Sequence, residues 1–137
     1  MTIKIGINGF GRMGRLALRA AWDWQEVAFV QINDPAGDAE TLSHLLNFDS
    51  VHGRWSHESV ATEGGIRIGD RTLAVTGHRQ IGETDWSGCD VVIEASGKMR
   101  DRDLLQAYLD QGVKRVVVTA PVKANDVLNV VMGVNEE

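Results

Sequence analysis

The chain has 137 residues, 43% of them hydrophobic and 24% charged, enough for one domain that buries about two thirds of its unfolded surface without staples. Its single cysteine, Cys89, excludes an internal disulfide framework and a Cys-rich zinc site and fits a reducing compartment. Fourteen Lys+Arg against nineteen Asp+Glu, a net charge of −5, disfavour a nucleic-acid surface, and no apolar run reaches the roughly 18 residues of a membrane span.

The N-terminus alternates at Ile3, Ile5 and Ile7 as a strand does, not as a continuous apolar signal core, and it breaks at Asn8-Gly9-Phe10-Gly11. A soluble cytoplasmic domain is the expectation. From Arg12 to Trp24 the residues Leu16, Leu18, Ala20, Ala21 and Trp24 predict a helix packed on one side. Val27 to Ile32 is a short, β-branched strand that stops at Asn33-Asp34-Pro35. Asp38 to Phe48 reads as a helix with Ala39, Leu42, Leu45 and Leu46 on one face and His44 flanking the core. A polar loop, Asp49-Ser50-Val51-His52-Gly53-Arg54, follows.

The period then changes. Ser59 to Thr62, Ile66 to Ile68 and Thr72 to Val75 predict short strands, the last two joined by a tight Gly69-Asp70 turn. Asp90 to Ala95 is another buried strand, and Asp101 to Gln111 a helix stopped by Gly112. Arg115 to Thr119 and Leu128 to Val134 complete the strands. Strands alternating with helices of about ten residues argue for an α/β, doubly wound, mostly parallel sheet. The stretch from His57 to Thr76 is expected either as an antiparallel hairpin insertion or as a mixed edge of that sheet.

Gly9-Phe10-Gly11-Arg12-Met13-Gly14 is a G-x-G-x-x-G between a strand and a helix, the context in which that pattern has meaning. Gly9 permits the tight turn, Gly11 lets the backbone approach a pyrophosphate, and Gly14 lets the helix pack close to the sheet. Amides at the helix start, near Arg12 and Met13, then face phosphates with the helix dipole behind them. The rival reading is an ordinary strand-to-helix turn. Asp34 stands 20 residues after Gly14 at a strand end, where a carboxylate accepts both adenosine ribose hydroxyls and repels a 2′-phosphate. An Asx turn before Pro35 fits the same residue, and both roles are compatible.

Ser96-Gly97 and Thr119-Ala120-Pro121 each follow a strand at the C-terminal sheet edge, where such folds bind ligands. Contact with the nicotinamide half of a dinucleotide is one reading. Loop punctuation and helix capping fit the spacing as well. Cys89 precedes its strand, so it falls at the edge opposite the nucleotide, about 15–20 Å away for a six-residue strand, and is expected to be no nucleophile. His44, His52, His57 and His78 lack metal-ligand spacing, so no metal site is expected.

Several segments together resemble the glyceraldehyde-3-phosphate dehydrogenase family in chain order. They are Ile5 to Arg15, Ile32-Asn33-Asp34-Pro35, Phe48-Asp49-Ser50-Val51-His52-Gly53-Arg54, Val92 to Gly97, Val117 to Pro121 and Val131-Met132-Gly133-Val134-Asn135. The third string has little generic meaning and carries most of the specificity. The resemblance implies a Rossmann-type NAD-binding domain over residues 1–137, with Arg12 and Met13 on the pyrophosphate, Asp34 on the ribose, Arg79 near the adenine and Thr119 near the nicotinamide. Met99 stands where the family commonly has an aromatic residue, and Val122 where it has a small polar one.

The family's nucleophilic cysteine and activating histidine follow the segment matching Asn135, so the catalytic domain is expected to lie outside this chain. Thiohemiacetal chemistry needs a thiolate beside a base. The full enzyme implied is a phosphorylating, NAD-dependent aldehyde dehydrogenase, a homo-oligomer that takes a sugar phosphate. A sister enzyme acting on erythrose 4-phosphate, one using arsenate as acyl acceptor, and a non-catalytic nucleotide-binding or assembly fragment are the alternatives.

Overall fold

A computed structural model describes residues 2–98 and 101–119. The expected strand Leu128–Val134, Ala120-Pro121, and the departures at Met99 and Val122 lie outside the described residues. Strand β1 (Ile3–Asn8) leads into helix α1 (Arg12–Ala21), β2 (Val27–Asn33), α2 (Ala39–Asn47) and the two-residue strands β3 (Phe48–Asp49) and β4 (Gly53–Arg54). There follow β5 (Ser59–Thr62), β6 (Gly65–Ile68), β7 (Arg71–Thr76), β8 (Val91–Glu94), α3 (Arg102–Asp110) and β9 (Arg115–Val118), with a 3₁₀ turn at Ile81–Glu83.

Seven strands form one sheet in the order β5-β6-β7-β2-β1-β8-β9. The pairings β7·β2, β2·β1, β1·β8 and β8·β9 are parallel, while β5·β6 and β6·β7 are antiparallel. The hairpin region is therefore the mixed edge of the main sheet, because β7 pairs with β2 on one side and β6 on the other. Counting β7 as the third parallel strand gives the order 3-2-1-4-5, with its switch point beside β1. Among the described residues β3 and β4 stand apart as a two-stranded sheet, where the sequence reads as a helix end at Phe48 followed by a polar loop from Asp49 to Arg54.

The sheet is covered on both faces. Ile5, Ile7, Leu18, Trp22, Phe29, Ile32, Leu42 and Leu46 pack in one cluster, and Ile81, Trp86, Cys89, Val92, Leu105 and Tyr108 in another. This explains why β1 does not alternate in burial as its isoleucines do: Ile5, Gly6, Ile7 and Asn8 are all buried. A central strand between two parallel neighbours has no solvent face. A Cβ on Gly6 would stand 2.7 Å from the Cys89 Sγ and 2.8 Å from the Trp86 ring, so that glycine makes room for the second cluster.

Helix α1 ends at Ala21, short of the expected Trp24, which is 58% exposed. The buried tryptophan of this segment is Trp22, stacked on Phe29 with centroids 6.3 Å apart. Helical geometry gives the reason. Trp22 lies four residues after Leu18 on the same face, whereas Trp24 lies six after it and points away. Helix α2 is capped by Asp38, whose carboxylate accepts from the Thr41 amide at 2.9 Å. His44 is exposed on α2 against the Phe48 ring, so it does not flank the core. Gly69 takes φ of +63° while Asp70 does not turn positive, the pattern of a hairpin turn with glycine at its first central position.

Candidate nucleotide site

The five parallel strands end at one edge, and the candidate residues gather there. Gly9 has φ of +95°, a conformation L side chains rarely adopt, and its Cβ would fall 2.6 Å from the Ala95 carbonyl carbon. A Cβ on Gly14 would overlap the Gly9 carbonyl oxygen and sit 3.1 Å from Ile7 Cγ2. Both glycines are required by the chain itself. Gly11 is different: its φ of −73° suits any residue, and among the described residues, its chain neighbours aside, nothing lies within 4 Å of where its Cβ would be. Open space at this glycine is the cradle that close approach of a ligand would need.

Gly11 is also the N-cap of α1, and no side chain caps that helix or places an acid in its first turn. The amides of Arg12 and Met13 open the helix with the positive end of its dipole unneutralised, as an anion site requires. The Met13 side chain is 58% exposed over this edge. The Arg12 guanidinium turns aside, donating to Ser50 Oγ at 3.1 Å and lying 3.8 Å from Asp49. What Arg12 offers the cradle is its amide.

Asp34 closes the other side. Its N–H donates to the Thr76 carbonyl, its Oδ1 accepts from the Ala36 amide at 2.8 Å, and its Oδ2 from the Phe10 amide at 2.7 Å. The Asx turn is therefore formed, and the same carboxylate steadies the glycine turn. A carboxylate has about four lone-pair directions, so each oxygen keeps capacity for a ribose hydroxyl. Arg79 lies exposed in the loop after β7, two residues past Gly77 at the same edge.

Ser96 and Gly97 follow β8. The Ser96 hydroxyl donates to Glu94 Oε2 at 2.6 Å and its amide donates there at 2.9 Å, while Gly97 takes φ of +75°. The Thr119 amide donates to the Glu94 carbonyl at 3.1 Å, and its hydroxyl reaches the same oxygen at 3.4 Å. Local punctuation thus employs both hydroxyls. A hydroxyl oxygen has two acceptor lone pairs, and at Ser96 one of them takes the Lys98 amide at 3.3 Å.

Sequence reasoning missed the layer beneath. Thr76, Asn33, Asn8 and Glu94 close β7, β2, β1 and β8, and they are direct partners across the sheet. Glu94 is 1% exposed and Asn8 and Asn33 are buried with it. Glu94 Oε1 accepts from Asn8 Nδ2 at 2.8 Å and from the Tyr108 hydroxyl at 2.6 Å. Burial, then the Glu94 charge, pushes the Tyr108 hydroxyl far above the usual phenol range, so it stays a donor. A usable signal was present: each of these strands ends in a polar residue directly before Gly9, Asp34, Gly77 or Ala95.

A second missed group lies beside α1. Arg12, Arg15 and Arg19 share one face of the helix: Arg15 donates to the Phe10 carbonyl at 3.0 Å, and Arg19 to the Leu46 and Gly53 carbonyls. The side chain of Asp49 is buried, and the amides of His52 and Val51 hold its carboxyl well below the usual carboxylate range. A depressed carboxylate stabilises the folded state above its unfolded pKa, about 3.9, and that contribution is lost as pH falls toward the folded value. Acid titration followed by amide exchange is therefore expected to leave Val51 and His52 protected at about pH 4 and to release them only well below it. Asp49→Ala, which removes the acceptor oxygen, is expected to release them at neutral pH. Full protection in the variant would contradict this role.

Cys89 lies before β8, at the opposite end of that strand from Ser96, 2% exposed. Burial, then the charges of Asp90 and Asp85, raises its pKa to about 11, so at neutral pH it is a thiol.

A doubly wound sheet in this order, with an uncapped helix start behind a glycine turn and a carboxylate at the end of β2, defines a dinucleotide-binding domain. Residues 3–102 match the family model for the glyceraldehyde 3-phosphate dehydrogenase NAD binding domain, and the chain belongs to that family. Among curated relatives, glyceraldehyde-3-phosphate dehydrogenase 3 of Nostoc sp. is 49% identical over 99% of this chain and 41% of its own length. Glyceraldehyde-3-phosphate dehydrogenase 1 of Streptomyces arenae is 44% identical over 99% of this chain and 41% of its own length. The cytosolic enzyme of Pinus sylvestris is 40% identical over 98% of this chain and 40% of its own length. The chain thus spans about two fifths of the length of the curated relatives it matches. Among the described residues no helix is long and apolar enough to cross a membrane.

Proposed function

We propose that this chain is the NAD-binding domain of a phosphorylating glyceraldehyde-3-phosphate dehydrogenase, cytosolic like its named plant relatives, in which an aldehyde is oxidised to an acyl phosphate. The observation that carries the reading is the open cradle at Gly11, bounded by two glycines that the backbone itself requires. The amides of Arg12 and Met13 hold the pyrophosphate, with Gly9, Gly11 and Gly14 shaping the turn around it. Asp34 accepts the adenosine ribose hydroxyls, and Arg79 borders the adenine. Ser96, Gly97 and Thr119 border the nicotinamide. NAD⁺, when bound, supplies the hydride acceptor.

The chain's own residues bind and orient the cofactor but provide no thiolate, since its single thiol is buried and protonated. The purified 137-residue chain is expected to bind NAD⁺ in calorimetry and to form no NADH from glyceraldehyde 3-phosphate and phosphate. Turnover abolished by Cys89→Ser would overturn the assignment of Cys89 as a packing residue. Absence of NAD⁺ binding at millimolar cofactor would overturn the domain reading itself.

A further inference from the structure

The amide orientations in the buried row beneath the site are forced. Asn33 Oδ1 accepts from the His78 backbone amide at 2.9 Å, and Asn33 Nδ2 donates to the His78 carbonyl at 2.8 Å. A backbone N–H can only donate and a carbonyl can only accept, so Asn33 cannot flip. Its Nδ2 also donates to Asn8 Oδ1 at 2.9 Å, which turns Asn8 Nδ2 toward Glu94. Thr76 Oγ1 donates to Asn33 Oδ1 at 2.6 Å. Every bond in the row therefore points one way, from Thr76 through Asn33 and Asn8 to Glu94.

Such a chain needs an acceptor at its end. Glu94 supplies it on Oε1, while Oε2 takes the Ser96 amide and hydroxyl. Glu94 also joins what the sheet separates. Through Asn8 and Asn33 it is tied to the strand ends carrying Gly9 and Asp34, and directly it sets the Ser96 turn, whose backbone abuts Gly9.

We propose that Glu94 is a positioning residue for the nucleotide cradle: the terminal acceptor of a one-way hydrogen-bond row that holds the Ser96-Gly97 turn at a set distance from the glycine turn and Asp34. This rests on the NAD-binding reading above. Glu94 is buried and touches no ligand; it acts through Ser96.

Glu94→Gln tests it, because the variant keeps the shape but carries one acceptor oxygen. Serving Asn8 and Tyr108 with that oxygen turns its NH₂ toward the Ser96 amide, a donor against a donor. NAD⁺ and AMP are titrated into the whole chain by calorimetry, since AMP reaches only the Asp34 side. The expected result is an NAD⁺-to-AMP affinity ratio lowered at least about tenfold, a difference of 1.4 kcal/mol, with faster exchange of the Ser96 amide. Tyr108→Phe removes one donor from Oε1 and one acceptor from Asn8 Nδ2, but it leaves the Asn8–Glu94 bond and both Ser96 bonds, so it is expected to lower the melting temperature with the ratio unchanged.

An unchanged ratio in a folded Glu94→Gln chain overturns the proposal and leaves the domain reading standing. Failure of the native chain to bind either ligand overturns both. Should Glu94→Gln not fold, native-chain exchange decides: a Ser96 amide as unprotected as the Gly97 amide overturns the proposal, and protection supports it.

Discussion

Gly11→Ala is expected to leave the fold unchanged and to weaken NAD⁺ roughly 10–100-fold, while Gly14→Ala is expected to lose stability before binding is even tested. The contrast follows from what each added methyl meets. At position 11 the backbone is extended, at φ of −73° and ψ of −164°, and among the described residues, chain neighbours aside, no atom stands within 4 Å of the added methyl. Alanine there costs the folded chain no more than about 0.5 kcal/mol, the ordinary range for a surface substitution. The methyl would occupy the cradle and hold the pyrophosphate away from the Arg12 and Met13 amides. Charged hydrogen bonds of this kind contribute about 1.5–3 kcal/mol each, and losing that much of one is roughly 10–100-fold in affinity.

At position 14 the methyl would overlap the Gly9 carbonyl oxygen, a backbone atom pinned because the Gly9 amide donates to the Asn33 carbonyl at 2.8 Å. Overpacking against atoms that cannot move costs about 1–3 kcal/mol or more. Thermal melts and calorimetry on the two variants check the pair. A Gly11→Ala chain that binds NAD⁺ as the native one does would place the pyrophosphate elsewhere.

Asp34→Ala is expected to weaken NAD⁺ on the order of 10–100-fold, from the loss of charged bonds to the ribose at about 1.5–3 kcal/mol. The structure adds a second cause, because the same carboxylate holds the Phe10 amide of the glycine turn. Asp34→Asn separates the two: an amide oxygen can keep the Phe10 bond, while the charge that favours a ribose and repels a 2′-phosphate is gone. NADP⁺ is expected to bind the native chain at least about tenfold more weakly than NAD⁺, with repulsion only partly screened by salt. Both substitutions are expected to narrow that preference. Pro35-Ala36-Gly37-Asp38 offers no arginine to a 2′-phosphate, and Asp38, whose pKa is lowered by the Thr41 amide, adds negative charge. Titration of both cofactors against the three proteins decides it. Tighter NADP⁺ than NAD⁺ binding by the native chain would remove Asp34 from the ribose.

The glycine turn, the helix behind it, the strand end at Asp34 and the turn at Gly69-Asp70 were legible because each is decided within a few residues of chain. Backbone conformation, capping and apolar period act over one or two turns, so a linear reading finds them. The same holds for Gly112, whose φ of +95° ends α3 where the sequence places the stop. A resemblance that includes the string from Phe48 to Arg54 pointed to the family, although nothing in that string revealed that Asp49 is buried under two amides or that Arg12 and Arg19 of α1 clamp the loop.

What the tertiary structure alone decided is which distant residues share an environment. Trp22 and Trp24 are equally apolar, and the end of α1 at Ala21 together with Phe29 on the neighbouring strand leaves the first buried and the second exposed. The hairpin could be an insertion or a sheet edge until β7 is seen to pair with β2, since pairing depends on a partner more than 40 residues away in sequence. In the sequence Glu94 is one charged residue inside the apolar run from Asp90 to Ala95. It becomes the anchor of the site only when the order β2-β1-β8 brings Asn8 beside it from 86 residues away and α3 lays Tyr108 across both. A buried carboxylate persists only where such donors converge, because desolvating it without them would cost several kcal/mol, and convergence is a property of the assembled sheet.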